Sequence, residues 1–297
     1  MIFLIASILV STLFGISFKI ISIRNINSFQ AIIINYIVAG SLGFLTTNSG
    51  ITPLNVFSQP WIYFGIGLGI VFIGSLFVIS EVTAKQGISV AQVAQRMSFV
   101  ITISLAILYF DEKITIYKVI GILLTIVAVY LVSYKDSTNK QTSKYWWLFP
   151  LIIFIASGII DSSINYVTNP LQGNLLQGNS LDVFLSTIFA TAFVFGVIIL
   201  MYKLKVKGEK FQLVAIPAGL ILGVINYGTM FFLGKALGSG FLDSSVLFPV
   251  NNLCILTLST IISVLIFKEK LSSKNWIGIG LSLLAIFILG LLPQLMK

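Results

Sequence analysis

The chain has 297 residues, of which 57% are hydrophobic and only 9% charged, and its mean hydropathy is +1.05. Soluble domains carry about 25% charged residues, so this composition excludes a soluble globular fold, and a disordered chain would need far more charge. Histidine is absent and Cys254 is the single cysteine, which excludes a His-based catalytic triad, a zinc site of the His/Cys type and an internal disulfide framework. We expect no metal site and no cofactor.

Ten apolar runs follow one another along the chain, each near the ~20 residues that a helix needs to cross a bilayer. They lie near 2–22, 29–46, 61–81, 88–110, 115–133, 146–167, 181–202, 212–234, 243–267 and 274–293. Backbone polar groups in hydrocarbon must be satisfied within each segment, so these runs are predicted to be helices. The first run lacks a basic region and a cleavage site, which indicates a retained helix. The sequence predicts an all-α membrane protein with ten transmembrane helices, surrounded by lipid.

The second half of the chain repeats part of the first. With a shift of 157 positions, residues 89–132 lie over 246–289 without a gap, and the densest match pairs residues 111–124 with 268–281. Each half then contains five spans, and because five is odd, the second copy must cross the membrane in the opposite sense. This predicts two inverted five-helix repeats, at residues 1–134 and 146–297, joined by a polar linker at 135–145. Inverted repeats are typical of secondary transporters.

Basic residues are divided unevenly between the connections, with thirteen after odd-numbered spans and three after even-numbered spans. The first group is Lys19, Arg24, Lys85, Lys135, Lys140, Lys144, Lys203, Lys205, Lys207, Lys210, Lys268, Lys270 and Lys274, and the second is Lys113, Lys118 and Lys235. Positive residues stay in the cytoplasm, so the odd connections are predicted to be cytoplasmic and both termini external. The net charge of +9 therefore reports orientation rather than a nucleic acid partner.

Span 4 carries a charge well inside its apolar run. Arg96 follows Gln92 by one helical turn and stands next to Gln95. A charge within a span is costly and is by default a functional hypothesis. We predict that the three residues bind substrate and that Arg96 holds a carboxylate or phosphate, or else is the counter-ion of Asp161 or Glu81. The alternatives for Arg96 are a structural ion pair and a side chain that reaches the membrane interface.

Polar residues in three other spans complete the candidate site. Asp161 in span 6 is the candidate for proton coupling, because desolvation favours the protonated carboxyl; the alternative is an interfacial position. Asn251 and Asn252 in span 9 align with the amide region of span 4 and are predicted to contact substrate or to bond between helices. Asn226 in span 8 is a weaker substrate-binding candidate.

Charged and aromatic residues at the span ends suggest gates and anchors. Lys19 is a candidate gate residue or counter-ion, or an anchor at the interface, and Glu81 could pair with Lys85 as a gate or in a solvated turn. The tryptophans near span ends are expected to be interface anchors; they are Trp61, Trp146, Trp147 and Trp276.

The arrangement resembles the drug/metabolite transporter superfamily, specifically its EamA-type ten-helix members. The residues concerned are Phe14 to Lys19, similar to an aromatic-Gly-x-x-aromatic stretch before a basic residue, and Glu112-Lys113 followed by Gly121. The second copy repeats the latter signature as Glu269-Lys270 and Gly278. The resemblance implies two inverted EamA repeats, a central cavity lined mainly by spans 3, 4, 8 and 9, and transport of small metabolites. It also implies that both termini are cytoplasmic, which is the reverse of the orientation predicted from the basic residues.

These features predict a secondary transporter, an exporter of small metabolites such as amino acids or related amphipathic compounds, that works in the cytoplasmic membrane by alternating access. It is expected to be a monomer or homodimer and not an enzyme, with protons as the candidate coupling ion. The alternatives are a membrane-embedded lipid-modifying enzyme and a transporter of sugar- or nucleotide-type substrates. Clustered acids, histidines or a metal site would favour the enzyme.

Overall fold

A computed structural model describes residues 1–47, 55–109, 115–133, 147–168, 181–239 and 244–292. Throughout these ranges the regular secondary structure is helical. Several sequence-based expectations lie outside them: the Glu112-Lys113 part of the repeated block, the linker at 135–145, and Trp146.

The predicted spans are helices with nearly the predicted bounds. The helices are α1 (Ile2–Ile23), α2 (Ser28–Thr46), α3 (Ile62–Lys85), α4 (Ile88–Arg96), α5 (Phe99–Tyr109), α6 (Ile116–Ser133), α7 (Leu148–Thr168), α8 (Leu181–Val206), α9 (Ala215–Gly238), α10 (Ser244–Leu265) and α11 (Ser273–Ile286). Eight stretches are long and apolar enough to cross a membrane, and two shorter apolar helices, 116–132 and 148–164, occupy the positions of spans 5 and 6. The expectation of an all-α, multi-pass membrane protein is confirmed.

Span 4 differs from its prediction because it is not one continuous helix. It consists of α4 and α5, which are separated by a turn at Met97 and Ser98. The nine-residue α4 begins after Gly87, whose φ of +113° suits glycine and is rarely adopted by other residues. The interruption stands directly after Arg96, so the charged side chain lies at the end of a half-helix.

Helices of the two halves pack against one another in exchanged pairs. Helix α2 of the first half packs on α9 of the second half, and the corresponding pair with the halves interchanged, α3 and α8, is also in contact. In the same way α1 packs on α9, and the corresponding pair α3 and α7 is in contact. Helices α2 and α8 contact each other, as do α6 and α11 and also α4 and α10. Small residues allow the closest approaches: a Cβ added to Gly223 in α9 would lie 2.8 Å from the backbone oxygen of Asn35 in α2.

Connections that follow odd-numbered spans meet at one face of the bundle. The backbone N–H of Asn27, before α2, donates to Oε1 of Gln212, before α9, at 2.7 Å. The Asn275 amide at the start of α11 donates to the carbonyl of Val132 in the last turn of α6 at 2.7 Å. We call this end of the molecule the basic face, because the lysine-rich connections at 203–210 and 268–274 lie there.

One predicted anchor is buried instead. Trp61 is fully enclosed and packs edge-to-face on Phe184 of α8, with ring centroids 5.4 Å apart. The expectation of an interface position for Trp61 was therefore wrong. Trp147 and Trp276 are about half exposed, as an interface anchor requires.

Candidate functional site

The turn between α4 and α5 organises the site. At this point the backbone N–H of Met97 still donates to the Val93 carbonyl at 2.9 Å, whereas the Ser98 hydroxyl lies 2.6 Å from the Gln95 carbonyl. Broken helices in membranes are tolerated where their freed backbone groups find partners or line a cavity. The interruption therefore presents polar backbone and side-chain groups in the middle of the bundle.

Arg96 joins the two halves of the chain. Its Nη1 donates to Oδ1 of Asn252 in α10 at 3.3 Å, while its Nε is buried and has no hydrogen-bond partner within the described residues. Gln92, one turn earlier, is 2% exposed, and its Oε1 is likewise buried without a partner there. One donor and one acceptor are thus left unsatisfied on the same helix face, which is unusual for buried polar groups and calls for an explanation.

Asp161 lies opposite the break. Its Oδ2 is 2.8 Å from the Ser98 hydroxyl, and its charge and that of Arg96 attract each other. Asp161 is exposed and lies seven residues before the end of α7. Four residues after Ser98, Thr102 of α5 shares a hydrogen bond of 3.1 Å with Ser162 of α7. Because α7 continues to Thr168, its helix does not end at Asp161, and the contact with Ser98 places the acid beside the α4–α5 break.

Other candidates are engaged between helices. The Ser7 hydroxyl donates to Oδ1 of Asn251 at 3.2 Å, and Nδ2 of Asn226 donates to Oδ1 of Asn35 at 3.1 Å. All four residues are buried. Asn226 lies in the close α2–α9 contact, where an interhelical amide bond occupies it.

The gate candidates form two ion pairs of different kinds. Lys19 pairs with Glu269 at 2.9 Å, and their side chains are only 17% and 8% exposed. Lys85 pairs with Glu81 one turn away in α3 at 2.5 Å, and the Lys85 side chain is 72% exposed. The first pair links distant parts of the chain, whereas the second is a local surface pair.

The structure thus brings Gln92, Arg96, Asn252 and Asp161 together around the α4–α5 break. Half-buried Gln95 contributes its carbonyl to that break, and the remaining candidates lie elsewhere in the bundle. The sequence analysis named Glu269 only as part of the repeated signature and did not predict its pairing with Lys19. The isolated glycine before α4 was the signal that could have revealed a close contact there.

Comparison with known proteins identifies the first half of the chain. Residues 1–134 match the model of the EamA-like transporter family. They form an EamA-like transporter domain. The resemblance to the drug/metabolite transporter superfamily is confirmed, and with it a multi-pass membrane protein of transporter type.

The full length of the chain also has relatives. It is 28% identical, over 300 aligned residues, to an uncharacterized protein of Haemophilus influenzae, and the alignment covers 98% of each chain. A solved crystal structure shares its fold with a TM-score of 0.60, covering 100% of this chain and 98% of the other at 17% identity. The latter likeness concerns the fold alone.

Proposed function

We propose that this protein is a secondary transporter that exports small metabolites, such as amino acids or related amphipathic compounds, across the cytoplasmic membrane by alternating access. The observation that carries the proposal is a pair of buried polar atoms beside a helix break, Nε of Arg96 and Oε1 of Gln92, which have no hydrogen-bond partner among the described residues. Leaving a buried polar group unpaired costs about 1–3 kcal/mol, and a bound polar molecule would recover that cost.

The chemistry of the site favours a substrate with an anionic group. A guanidinium binds a carboxylate through parallel hydrogen bonds, and while Nη1 of Arg96 contacts Asn252, its Nε has no partner among the described residues. The amides of Gln92 and Asn252 can bond the polar groups next to the carboxylate. Asp161 supplies a carboxyl that can take up a proton within the same site, which supports proton coupling.

The packing of the helices supports alternating access. Interchanging the two halves converts the α2–α9 pair into the α3–α8 pair, and the corresponding helices α4 and α10 contact each other. Two halves related in this way can rock about a central site and open it to either side. Arg96 and Asn252 belong to opposite halves and would move relative to each other in such a step.

Flux into proteoliposomes tests the proposal. Purified protein should move one or more members of a panel of amino acids and amphipathic acids, and Arg96→Ala should lower the apparent affinity by about tenfold, the effect of losing a charged hydrogen bond. Arg24 is the other arginine of the chain and is exposed at the end of α1, so Arg24→Ala is the matched control. Absence of flux across the panel, or equal effects of both variants, would contradict the proposal.

A further inference from the structure

We infer that Glu269 is a positioning residue that closes the basic face and holds the α4 half-helix, with Arg96, in place. The inference rests on the proposed transport function, because it assigns to Glu269 the control of access to the same site. Glu269 lies between α10 and α11 in the second half of the chain, whereas its side chain contacts Lys19 and Ile88 in the first half.

Glu269 caps α4. Both of its carboxylate oxygens lie 3.1 Å from the backbone nitrogen of Ile88, the first residue of the helix. A carboxylate at a helix N-terminus satisfies an otherwise unpaired N–H and is favoured by the helix dipole. The preceding Gly87 makes room for it, since a Cβ there would lie 2.6 Å from Oε2. Sequence and geometry thus fit one another at this contact.

The same carboxylate binds α1. Oε1 of Glu269 is 2.9 Å from Nζ of Lys19, and the pair is largely shielded from solvent. Next to it, the fully buried hydroxyls of Ser89 in α4 and Ser263 in α10 share a hydrogen bond of 2.7 Å. Helices α1, α4 and α10 are therefore tied together at the basic face. A path from this face to Arg96 would have to part these contacts.

The cap also determines where the site residues stand. Arg96 is eight residues from Ile88, which corresponds to about 12 Å along a rigid helix. Because α4 ends at the turn after Arg96, it can tilt as a unit once Glu269 releases its first residue. Opening of the basic face and rearrangement of Arg96 are then one movement. In the present structure the contacts of Glu269 with Lys19 and Ile88 are formed at the basic face, and Asp161 is exposed.

Cysteine labelling from either side of the membrane tests this coupling. In a Cys254→Ser background, Ser89→Cys reports access from the basic face, and in a separate protein Ser162→Cys reports access near Asp161. Each reporter is combined with Glu269→Gln, which keeps the size and removes the charge. The matched control is Glu209→Gln, because Glu209 pairs with Lys203 at 3.9 Å beyond the end of α8. The probe is a small membrane-impermeant thiol reagent.

We expect Glu269→Gln to raise the labelling rate at Ser89→Cys by about fivefold, the change that corresponds to ~1 kcal/mol for a weakened helix cap, and to lower the rate at Ser162→Cys. Glu209→Gln should change neither. Equal rates in parent and variant, or a rise at both reporters, would overturn the inference, since general loosening raises both. Should Glu269→Gln not accumulate in membranes, Lys19→Met gives the same opposed pair of changes. Labelling needs no substrate, so its outcome is independent of any failure to find flux.

Discussion

The Ser98 hydroxyl has one proton to donate and lies within hydrogen-bonding distance of two acceptors. Its hydroxyl oxygen lies 2.6 Å from the Gln95 carbonyl and 2.8 Å from Oδ2 of Asp161. A serine hydroxyl donates one hydrogen bond, so both contacts are hydrogen bonds at once only when Asp161 itself carries a proton and donates it to Ser98. An ionised Asp161 instead draws the serine proton away from the Gln95 carbonyl. The charge of Asp161 is thereby linked to the hydrogen bonding of the helix break.

This linkage predicts the behaviour of Asp161→Asn. The amide keeps the size of the side chain and can bond Ser98, but it can neither gain nor lose a proton. We expect exchange of substrate across proteoliposomes to persist, while accumulation driven by a pH gradient is lost, because an amide cannot take up the proton that would couple the gradient to transport. Asp182→Asn, at the exposed start of α8, should leave both activities near the parent level. Gradient-driven accumulation unaffected by Asp161→Asn would exclude Asp161 as the proton site.

At the level of the helix, some glycines are required for close packing against a neighbouring helix, whereas others could be replaced by alanine without a clash. Helix α3 contains Gly69, where an added Cβ would lie 2.8 Å from the backbone oxygen of Ile188 and 2.6 Å from Cβ of Thr191. The same helix contains Gly74, which is exposed and where a Cβ would meet nothing within 4 Å. Backbone atoms cannot rotate away as a flexible side chain can, so only the first position forbids a methyl group.

We therefore predict opposite effects of one substitution within one helix. Gly69→Ala should lower the free energy of unfolding by roughly 1–3 kcal/mol through overpacking of α3 against α8. Gly74→Ala should be neutral or stabilise by up to about 1 kcal/mol, because alanine favours the helix. Thermal unfolding in detergent measures both. Similar shifts for the two variants would mean that the α3–α8 contact is looser than the structure has it.

At the level of the whole molecule, the sequence predicts the spans well and their interruptions poorly. Apolar length and flanking charges determine where a chain crosses a bilayer, and these are local properties. The break after Arg96 was missed because Met97-Ser98 contains neither proline nor glycine, and its partner Asp161 lies in another helix. The pairing of Lys19 with Glu269 joins residues too far apart along the chain for spacing to reveal. Trp61 was misplaced because its enclosure depends on α8.

The charge distribution makes a prediction about orientation. A reporter that is active only in the cytoplasm should be silent when fused to the C-terminus, because the thirteen basic residues of the odd-numbered connections are predicted to be cytoplasmic and both termini external. The same reporter inserted at Gly208 should be active. That position has open space around it, so the insertion itself should be tolerated. A strong signal from the C-terminal fusion would reverse the assignment and place the basic face outside.

The contact at Gly87 makes the two sides of the protein chemically different. At the position equivalent to Gly87, 157 residues later, the second repeat has Ser244, and Leu253 stands where the first has Arg96. In the proposed alternating-access cycle the two halves therefore cannot form chemically identical closing contacts, and the two closed conformations would differ in energy even without a gradient. If the basic face is closed at rest, a substrate that arrives from that side can bind only after the face has opened, and this opening costs free energy. In that cycle the apparent affinity on the basic side would be reduced in proportion to the fraction of molecules that are open, so the protein would discriminate between its two sides before any driving ion acts.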